Sequence, residues 1–284
     1  MKTRSTSRIR LLVLAAGMAC VSAAQADYFV RPYISLGGSV IDGYEQNGAT
    51  KRSENFTSNQ QVEVDLSSGT VRSFLQLTGP NVFGQSTGVF GDRLTFLPAA
   101  SQSLGFSFDF DGAIRSAARD PNLNSNLQIG VYASLYAFDS SAGATYRNFD
   151  SLPGALVSQF KFLDFSNPTT DLNVSIMESL SGSFMTTANT RFSVDVFASL
   201  SVFAAPNNNP NAVTMDFMNT GKFGVQAAPG ITFTSDSGVF LTNPVVTAVP
   251  EPESYAMMAA GLLALGAYSR RRLRAEPSVA TDRA

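Results

Sequence analysis

Carboxylates are the main side chains in this sequence that could do chemistry. The 284-residue chain contains no histidine, and its single cysteine is Cys20, close to the amino terminus. Without histidine, catalysis by Ser-His-Asp or Cys-His groups, haem ligation by histidine and imidazole pH switches are excluded. A zinc site built from cysteine and histidine is excluded for the same reason. Acidic side chains are then the remaining catalytic raw material.

Three carboxylate pairs are candidates for glycoside hydrolysis, because that reaction places two carboxylates about 5 to 10 Å apart around the sugar bond. The pairs are Asp109 with Asp111, Glu63 with Asp65, and Asp195 with Glu178. Strand residues two apart share a face, so each of the first two pairs would project together. The apolar residues of those segments occupy the opposite face, and we interpret the acids as solvated charges. No catalytic residue is assigned, and we expect the chain not to be an enzyme.

Oxygen ligands that calcium prefers occur in residues 109–112, with the sequence Asp-Phe-Asp-Gly, and in the Asn-rich loops. The full calcium-loop spacing with its distal glutamate is missing, so a structural calcium ion and ordinary turn chemistry both stay open. Residues 83–91 are rich in glycine but lack the lysine of a phosphate-binding loop. The sequence therefore assigns no metal ligand and no cofactor.

The elements that must position these side chains are β-strands. Apolar and polar residues alternate with period two, which places one face in a core and the other in solvent, over residues 61–68, 103–110, 127–138, 160–165 and 191–204. Turn-forming Asn, Asp, Gly and Pro cluster at residues 109–112, 119–126, 139–144 and 206–211. This succession predicts an all-β fold, an antiparallel β-sandwich or jelly roll, that forms one domain over residues 27–248.

Two segments depart from the alternating pattern. Residues 27–59 are rich in Gly, Asn and Ser, and we expect a loosely packed leading arm there, with one or two strands within residues 29–40. Residues 151–160 are the one part of the body where a short helix is considered. No internal repeat is found, which argues against a solenoid or propeller.

The amino terminus predicts a secretory signal peptide over residues 1–26. Basic residues precede an apolar stretch, and the small residues Ala24 and Ala26 occupy the −3 and −1 positions for signal peptidase. A lipoprotein signal at Cys20 is the alternative, although Gly17 stands where an aliphatic residue is preferred. Cleavage after Ala26 removes the only cysteine, so we expect neither disulfides nor thiol chemistry in the exported chain.

The body of the chain is acidic. Between residues 27 and 249 there are 11 Lys or Arg against 18 Asp or Glu, a net charge of −7. Such a body is repelled by nucleic acid, and no basic run suggests otherwise, so no nucleic-acid partner is expected.

Three features follow one another at the carboxyl terminus. Val249, Pro250, Glu251 and Pro252 come first, and their prolines favour an extended chain. Residues 254–269 are then mainly Ala, Met, Leu and Gly, 16 residues where an unaided transmembrane helix needs about 20. Positive charges that would hold the terminus in the cytoplasm come last, at Arg270, Arg271, Arg272 and Arg274. An extended peptide beside a marginal membrane helix is a segment that a processing enzyme can bind.

In this order the three features, over residues 249–274, resemble the PEP-CTERM sorting signal. The resemblance implies transient insertion of the hydrophobic helix into the inner membrane of a Gram-negative bacterium and cleavage near Pro252 by exosortase. It also implies delivery to the cell surface or to an exopolysaccharide matrix, as in biofilm formation. Residues 275–284 form a polar tail beyond the usual end of the signal. A plain membrane anchor without processing is the alternative.

The sequence thus predicts a non-enzymatic surface or extracellular-matrix protein, structural or associated with exopolysaccharide. A carboxylate-dependent glycan-active enzyme and a lectin-like carbohydrate-binding module are the alternatives. Tyrosine and asparagine in loops suit a scaffold and a lectin equally, so the sequence does not rank these two.

Overall fold

The computed structural model describes residues 28–241, apart from residues 56–58, 80, 119–125, 208–211 and 228–230. The described residues form 14 strands in two antiparallel sheets, with a single 3-10 turn at Ser140–Ala142. The predicted antiparallel β-sandwich is confirmed.

The larger sheet, sheet A, has eight strands. Its strands are β1 (Phe29–Leu36), β2 (Ser39–Asp42), β3 (Glu45–Gln46), β7 (Gly84–Phe96), β9 (Asn126–Asp139), β10 (Val157–Asp164), β12 (Phe192–Asn207) and β14 (Phe233–Ser235). They lie in the order β10-β9-β12-β7-β1-β2, while β3 pairs with β1 and β14 pairs with β7.

The smaller sheet, sheet B, has six strands. Its strands are β4 (Thr50–Asn55), β5 (Gln60–Asp65), β6 (Thr70–Leu77), β8 (Ser103–Ser116), β11 (Leu172–Met185) and β13 (Val213–Ala227). Their order is β11-β8-β13-β6-β5-β4. Neighbouring strands in both sheets are often distant in the sequence, so long-range pairing determines the fold.

Alternating apolar residues from both sheets form the main core. On β8, the side chains of Leu104, Phe106, Phe108 and Phe110 are at most 2% exposed. On β12, the alternate residues from Val194 to Ala204 are fully buried. A slip of one residue would turn either series into solvent, so this alternation sets the register of both strands. The register predicted for residues 103–110 is therefore confirmed.

The expectation of a turn at residues 109–112 is wrong, because β8 continues through it to Ser116. Gly112 lies where β13 comes close: a Cβ atom there would be 2.4 Å from the Phe217 ring and 2.6 Å from the carbonyl oxygen of Asp216. This glycine therefore allows a close backbone approach within the sheet, which is a common reason for glycine inside a strand. The Asp-Phe-Asp-Gly segment is extended and does not form a loop.

Two further expectations need correction. Residues 151–160 are not helical: residues 152–156 are irregular, with Gly154 at a φ of 85°, and β10 begins at Val157. The first part of the leading segment is not loosely packed, because β1 lies between β2 and β7, and its Val30 and Ile34 are at most 1% exposed. In both cases strand pairing with residues far away outweighs weak local periodicity.

One carboxylate faces the interior of the sandwich. Asp92 on β7 is 1% exposed and accepts hydrogen bonds from the Ser237 hydroxyl at 2.5 Å and from the Arg93 amide at 2.8 Å. Burial raises the pKa of Asp92 to about 6, although these hydrogen bonds favour the charged form. The contact holds the turn after β14 against β7.

A loop between β9 and β10, residues 140–156, crosses the outer face of sheet A. It is shaped by local hydrogen bonds, such as those from the Thr145 amide to Asn148 Oδ1 at 2.7 Å and from the Phe149 amide to the Thr145 carbonyl at 3.0 Å. We refer to residues 140–156 as the β9–β10 loop. The loop covers only part of the face, and this divides the outer surface of sheet A.

Candidate functional site

The covered half of the outer face is a second apolar cluster. It is formed by side chains from four strands of sheet A together with Phe149 of the β9–β10 loop: Phe29, Val89, Tyr136, Phe138 and Phe197. Phe149 stacks on Phe197 with ring centroids 5.0 Å apart and meets Tyr136 edge-on at 5.6 Å. These side chains are at most 8% exposed, so the covered half contributes to stability.

The open half of the same face contains a groove of about 400 Å³. A central row of register partners on four strands lines it: Phe162, Tyr132, Ser201 and Thr87. Tyr33 on β1 continues the row across the sheet but does not line the groove. We call this groove the open groove. Its volume falls within the range of small-molecule and sugar-sized sites, about 300 to 1,000 Å³.

Hydroxyl groups form the floor of the open groove. The Thr87 and Ser201 hydroxyl oxygens are 2.7 Å apart, and Gln85 Nε2 donates to both, at 3.0 and 3.1 Å. The Ser134 and Ser199 hydroxyls form a similar pair at 2.6 Å on neighbouring strands. A hydroxyl both donates and accepts, so this floor offers both functions to a polar ligand.

Aromatic rings form one wall of the open groove. Phe162 on β10 lines the groove and is 52% exposed, and Phe160 on the same strand, which is 64% exposed, lies outside the lining. Such exposure is unusual for phenylalanine. Phe162 stacks on Phe203 with centroids 6.1 Å apart and an interplanar angle of 2°, and Phe160 stacks on Tyr132 at 6.4 Å. Gly130 makes room for the first pair, because a Cβ atom there would be 2.3 Å from the Phe203 ring.

The titratable side chains in and beside the open groove differ in charge and in pairing. Burial, with the nearby Tyr136 phenol, raises the pKa of Tyr132 to about 12, so its hydroxyl stays protonated at neutral pH. Arg31 donates to both carboxylate oxygens of Asp42 at 2.9 Å, and this pairing lowers the pKa of Asp42. Asp150 is the one carboxylate among the described residues that line the open groove.

A second pocket of about 610 Å³ lies beside the β9–β10 loop. We call it the loop pocket. Tyr146 lines both this pocket and the open groove, and it stacks on Tyr44 with centroids 4.1 Å apart. Arg147 Nε donates to the Tyr146 hydroxyl at 2.7 Å, and Arg93 also lines the pocket.

The acids considered from the sequence lie elsewhere, and none of them lines either pocket. Asp195 of sheet A binds Arg93 through both oxygens, at 2.7 and 3.1 Å, whereas Glu178 of sheet B pairs with Lys161. These two acids therefore neutralise different cations and do not form a catalytic pair.

The other two candidate pairs lie on sheet B. Glu63 accepts from Arg72 at 2.6 Å. Burial alone would raise the pKa of Asp65, but hydrogen bonds from Ser67, Ser68 and Thr50 outweigh it and lower the pKa. On β8, Asp109 accepts from the Ser179 hydroxyl at 2.5 Å and Asp111 is the register partner of Met177. The described residues contain no group of three or more His, Cys, Asp or Glu that could hold a metal ion.

Sequence reasoning missed the open groove and the loop pocket. A signal was present in residues 127–138, where the second face of the strand carries Tyr132, Ser134, Tyr136 and Phe138. A face meant only for water would hold few such rings. Both faces of β9 are therefore used, one for the core and one for the outer surface.

The sorting and processing residues lie outside the described residues. They are Ala24 and Ala26 at the amino terminus, Val249, Pro250, Glu251 and Pro252, and the arginines Arg270, Arg271, Arg272 and Arg274. Within the described part of the chain, no helix is long and apolar enough to span a membrane.

The carboxyl-terminal sequence was compared with known protein families. Residues 248–272 match the PEP-CTERM protein-sorting motif. The motif implies export, processing by exosortase and membrane-anchored sorting toward the cell surface. The resemblance seen in the sequence is thus confirmed. No curated protein matches the chain in sequence.

Solved structures with some likeness are distant. TmCBM61, a carbohydrate-binding module solved with β-1,4-galactotriose, is 10% identical with a TM-score of 0.23, over 63% of this chain and 88% of that one. The enzymatically active domain of bacteriophage CBA120 tailspike protein 4 is 7% identical with a TM-score of 0.21, over 64% of this chain and 20% of that one. Similarity this low transfers no role to the present chain.

Proposed function

We propose that this PEP-CTERM protein is a non-enzymatic surface or matrix component that binds a glycan in the open groove. The observation that carries the proposal is the row of rings and hydroxyls that four strands of sheet A bring into register in the groove. The sorting motif would place this groove outside the cell, where exopolysaccharide is the ligand that we propose.

The chemistry of the open groove suits a sugar. A pyranose ring has an apolar C–H face, which can pack on exposed rings such as Phe162 and Tyr132, and the negative face of an aromatic ring favours such polarised C–H groups. Its hydroxyls can exchange hydrogen bonds with Thr87, Ser201 and Gln85, which are already arranged by their own contacts. This preorganisation reduces the entropy lost on binding.

Binding fits the open groove better than hydrolysis does. Glycoside hydrolysis uses two carboxylates, and the described lining of this groove supplies Asp150. A carboxylate-dependent enzyme remains the alternative function, and release of new reducing ends from a bound glycan would favour it.

Binding is tested with the full-length chain, purified in mild detergent, on a panel of extracellular polysaccharides by affinity electrophoresis. We expect Tyr132→Ala and Phe162→Ala each to weaken binding at least about tenfold, which corresponds to about 1.4 kcal/mol. Met177→Ala is the matched control, because Met177 is 87% exposed on the outer face of sheet B. Equal affinity in all three variants would exclude the open groove as the glycan site.

Sorting is tested separately by deleting residues 249–272 in the producing cell. We expect the deleted form to be lost from the cell surface and matrix and the intact chain to be present there. An unchanged location would contradict the sorting part of the proposal. The intact mass of the matrix form would show whether the chain ends near Pro252.

A further inference from the structure

The loop pocket has a different chemical character from the open groove. Its described lining includes two arginines, Arg93 and Arg147, and no carboxylate. Tyr28, Tyr44 and Tyr146 add rings with polar ends. The pocket therefore combines positive charge with surfaces that a sugar ring can pack against.

Arg147 is held in a defined position although it is exposed. Its Nε donates to the Tyr146 hydroxyl, and its Cζ lies 5.2 Å from the centre of the Tyr146 ring. Two residues later, Phe149 anchors the β9–β10 loop in the covered half by stacking on Phe197. A guanidinium placed in this way presents its remaining N–H donors to a ligand with little loss of freedom.

Arg93 also lines the loop pocket, but as one partner of an ion pair. Its side chain is 25% exposed, while Asp195, which binds it through both oxygens, is 5% exposed. The acid is thus turned away from the pocket and the cation lines it. The body has a net charge of −7 over residues 27–249, but charges farther than about 8 Å are largely screened at physiological salt. Asp195 lies well within that distance and offsets most of the charge of Arg93, so an anionic ligand in the loop pocket would sense mainly Arg147.

We infer that the loop pocket binds the carboxylate of an acidic sugar, so that an acidic polysaccharide occupies the loop pocket and the open groove together. A planar carboxylate matches the fork of donors on a guanidinium. Tyr146 lines both sites, so one chain can pass over it from the acid-binding pocket to the neutral groove. In the open groove Arg31 is paired with Asp42, and Asp150 disfavours a second acid there. This inference rests on the proposed function and adds the class of glycan.

The test compares polygalacturonate with its carboxyl-reduced form, two polymers that differ in the acid group. Binding of each to the full-length chain is measured by affinity electrophoresis at low and high salt. For Arg147→Ala we expect about tenfold weaker binding to polygalacturonate and unchanged binding to the reduced polymer. High salt should weaken binding to the acidic polymer alone. Arg115→Ala is the control, because it removes an exposed arginine from sheet B.

The outcomes separate this inference from the proposed function. Equal binding of polygalacturonate by the Arg147→Ala and Arg115→Ala variants overturns the inference. The proposed function would stand if the reduced polymer still bound and Tyr132→Ala abolished that binding. Failure of both polymers to bind the unaltered chain would overturn the inference together with glycan binding of this class. Loss of binding to both polymers on Arg147→Ala would assign Arg147 a structural role in the loop and also overturn the inference.

Discussion

The covered and open halves of the outer face of sheet A are built on the same central strands and hold the same residue types. In the covered half, Phe138, Phe149 and Phe197 are at most 8% exposed, whereas in the open half Phe160 and Phe162 are 64% and 52% exposed. The β9–β10 loop makes the difference, because it packs over one half and leaves the other open to solvent. Equivalent rings are thus buried in one half and, in the other, are exposed where we propose that a ligand binds.

Glycines show the same contrast at the level of single residues. In the covered half, aromatic rings pack directly against Gly91: an added Cβ would be 2.5 Å from Phe29 and 2.9 Å from Phe197. Gly130 makes room for the exposed Phe162 and the half-buried Phe203 in the open half. Both positions lie inside strands, where glycine otherwise weakens pairing. Space for aromatic rings above the sheet explains both.

The largest effect should come from uncovering the covered half. For Phe149→Ala we expect the free energy of unfolding to fall by about 3 to 5 kcal/mol, because a buried ring is lost. Phe162→Ala, in the open half, should change it by less than about 1 kcal/mol while weakening glycan binding. Urea titration of both variants measures the free energy of unfolding, and affinity electrophoresis measures their glycan binding. Similar losses of stability in the two variants would contradict the division of the face.

The second effect concerns the interior of the sandwich, on the opposite side of sheet A from the covered and open halves. Asp92 lies on β7 next to Arg93 but faces the interior, and its pKa is raised to about 6 from 3.8. The folded state disfavours the charged form, so the stabilising contribution is complete below pH 3.8 and is lost as the pH rises through about 6. We expect Asp92→Asn to raise the free energy of unfolding at pH 7 by about 2 to 3 kcal/mol.

The pH profile of Asp92→Asn provides its own control. The variant and the original chain should have similar stability near pH 4 and diverge toward pH 7, as measured by urea titration. A constant difference across this range would show that folding does not shift the pKa of Asp92. The glycan affinity of the open groove should be unaltered by this interior change.

The ion pairs beside the two halves should contribute differently to the free energy of unfolding. Asp195, at 5% side-chain exposure, pairs with Arg93 beside the covered half, whereas Asp42, at 41%, pairs with Arg31 beside the open groove. Removing one partner of a largely buried pair leaves the other charge unpaired. Asp195→Asn should therefore lower the free energy of unfolding by about 1 to 3 kcal/mol. Asp42→Asn should cost less than about 1 kcal/mol, since exposed pairs contribute little. A larger loss of unfolding free energy in Asp42→Asn would reverse this assignment.

The smallest effect concerns Gly130, against which the Phe162 and Phe203 rings pack. In Gly130→Ala the new methyl group would press on the Phe203 and Phe162 rings, whose free ends can shift. We expect stability to change by less than about 1 kcal/mol, while glycan affinity falls about threefold to tenfold because the wall of the groove is displaced. Met177→Ala, which removes an exposed side chain from the outer face of sheet B, is the control for binding. Equal glycan affinity in both variants would exclude the ring pair from the binding surface.

The sequence anticipated the layers of this fold better than its site. Period-two alternation in residues 103–110 and 191–204 gave the inward faces of β8 and β12, because a half-buried strand needs that pattern. The carboxylates were a poor indicator of a site, since Glu63, Glu178 and Asp195 serve ion pairs. Residues 109–112 were misjudged as a turn because glycine in a strand and glycine in a turn look alike without the partner strand.

By itself, the sequence determined what depends on local order: the all-β class, the absence of histidine chemistry and the sorting motif at residues 248–272. The tertiary structure alone decided which side chains meet. Thr87 and Ser201 are 114 residues apart and share a hydrogen bond, and Phe162 joins their row through Tyr132 on β9. Such neighbours arise from long-range strand pairing, and the β9–β10 loop then determines which part of their surface stays open to a ligand.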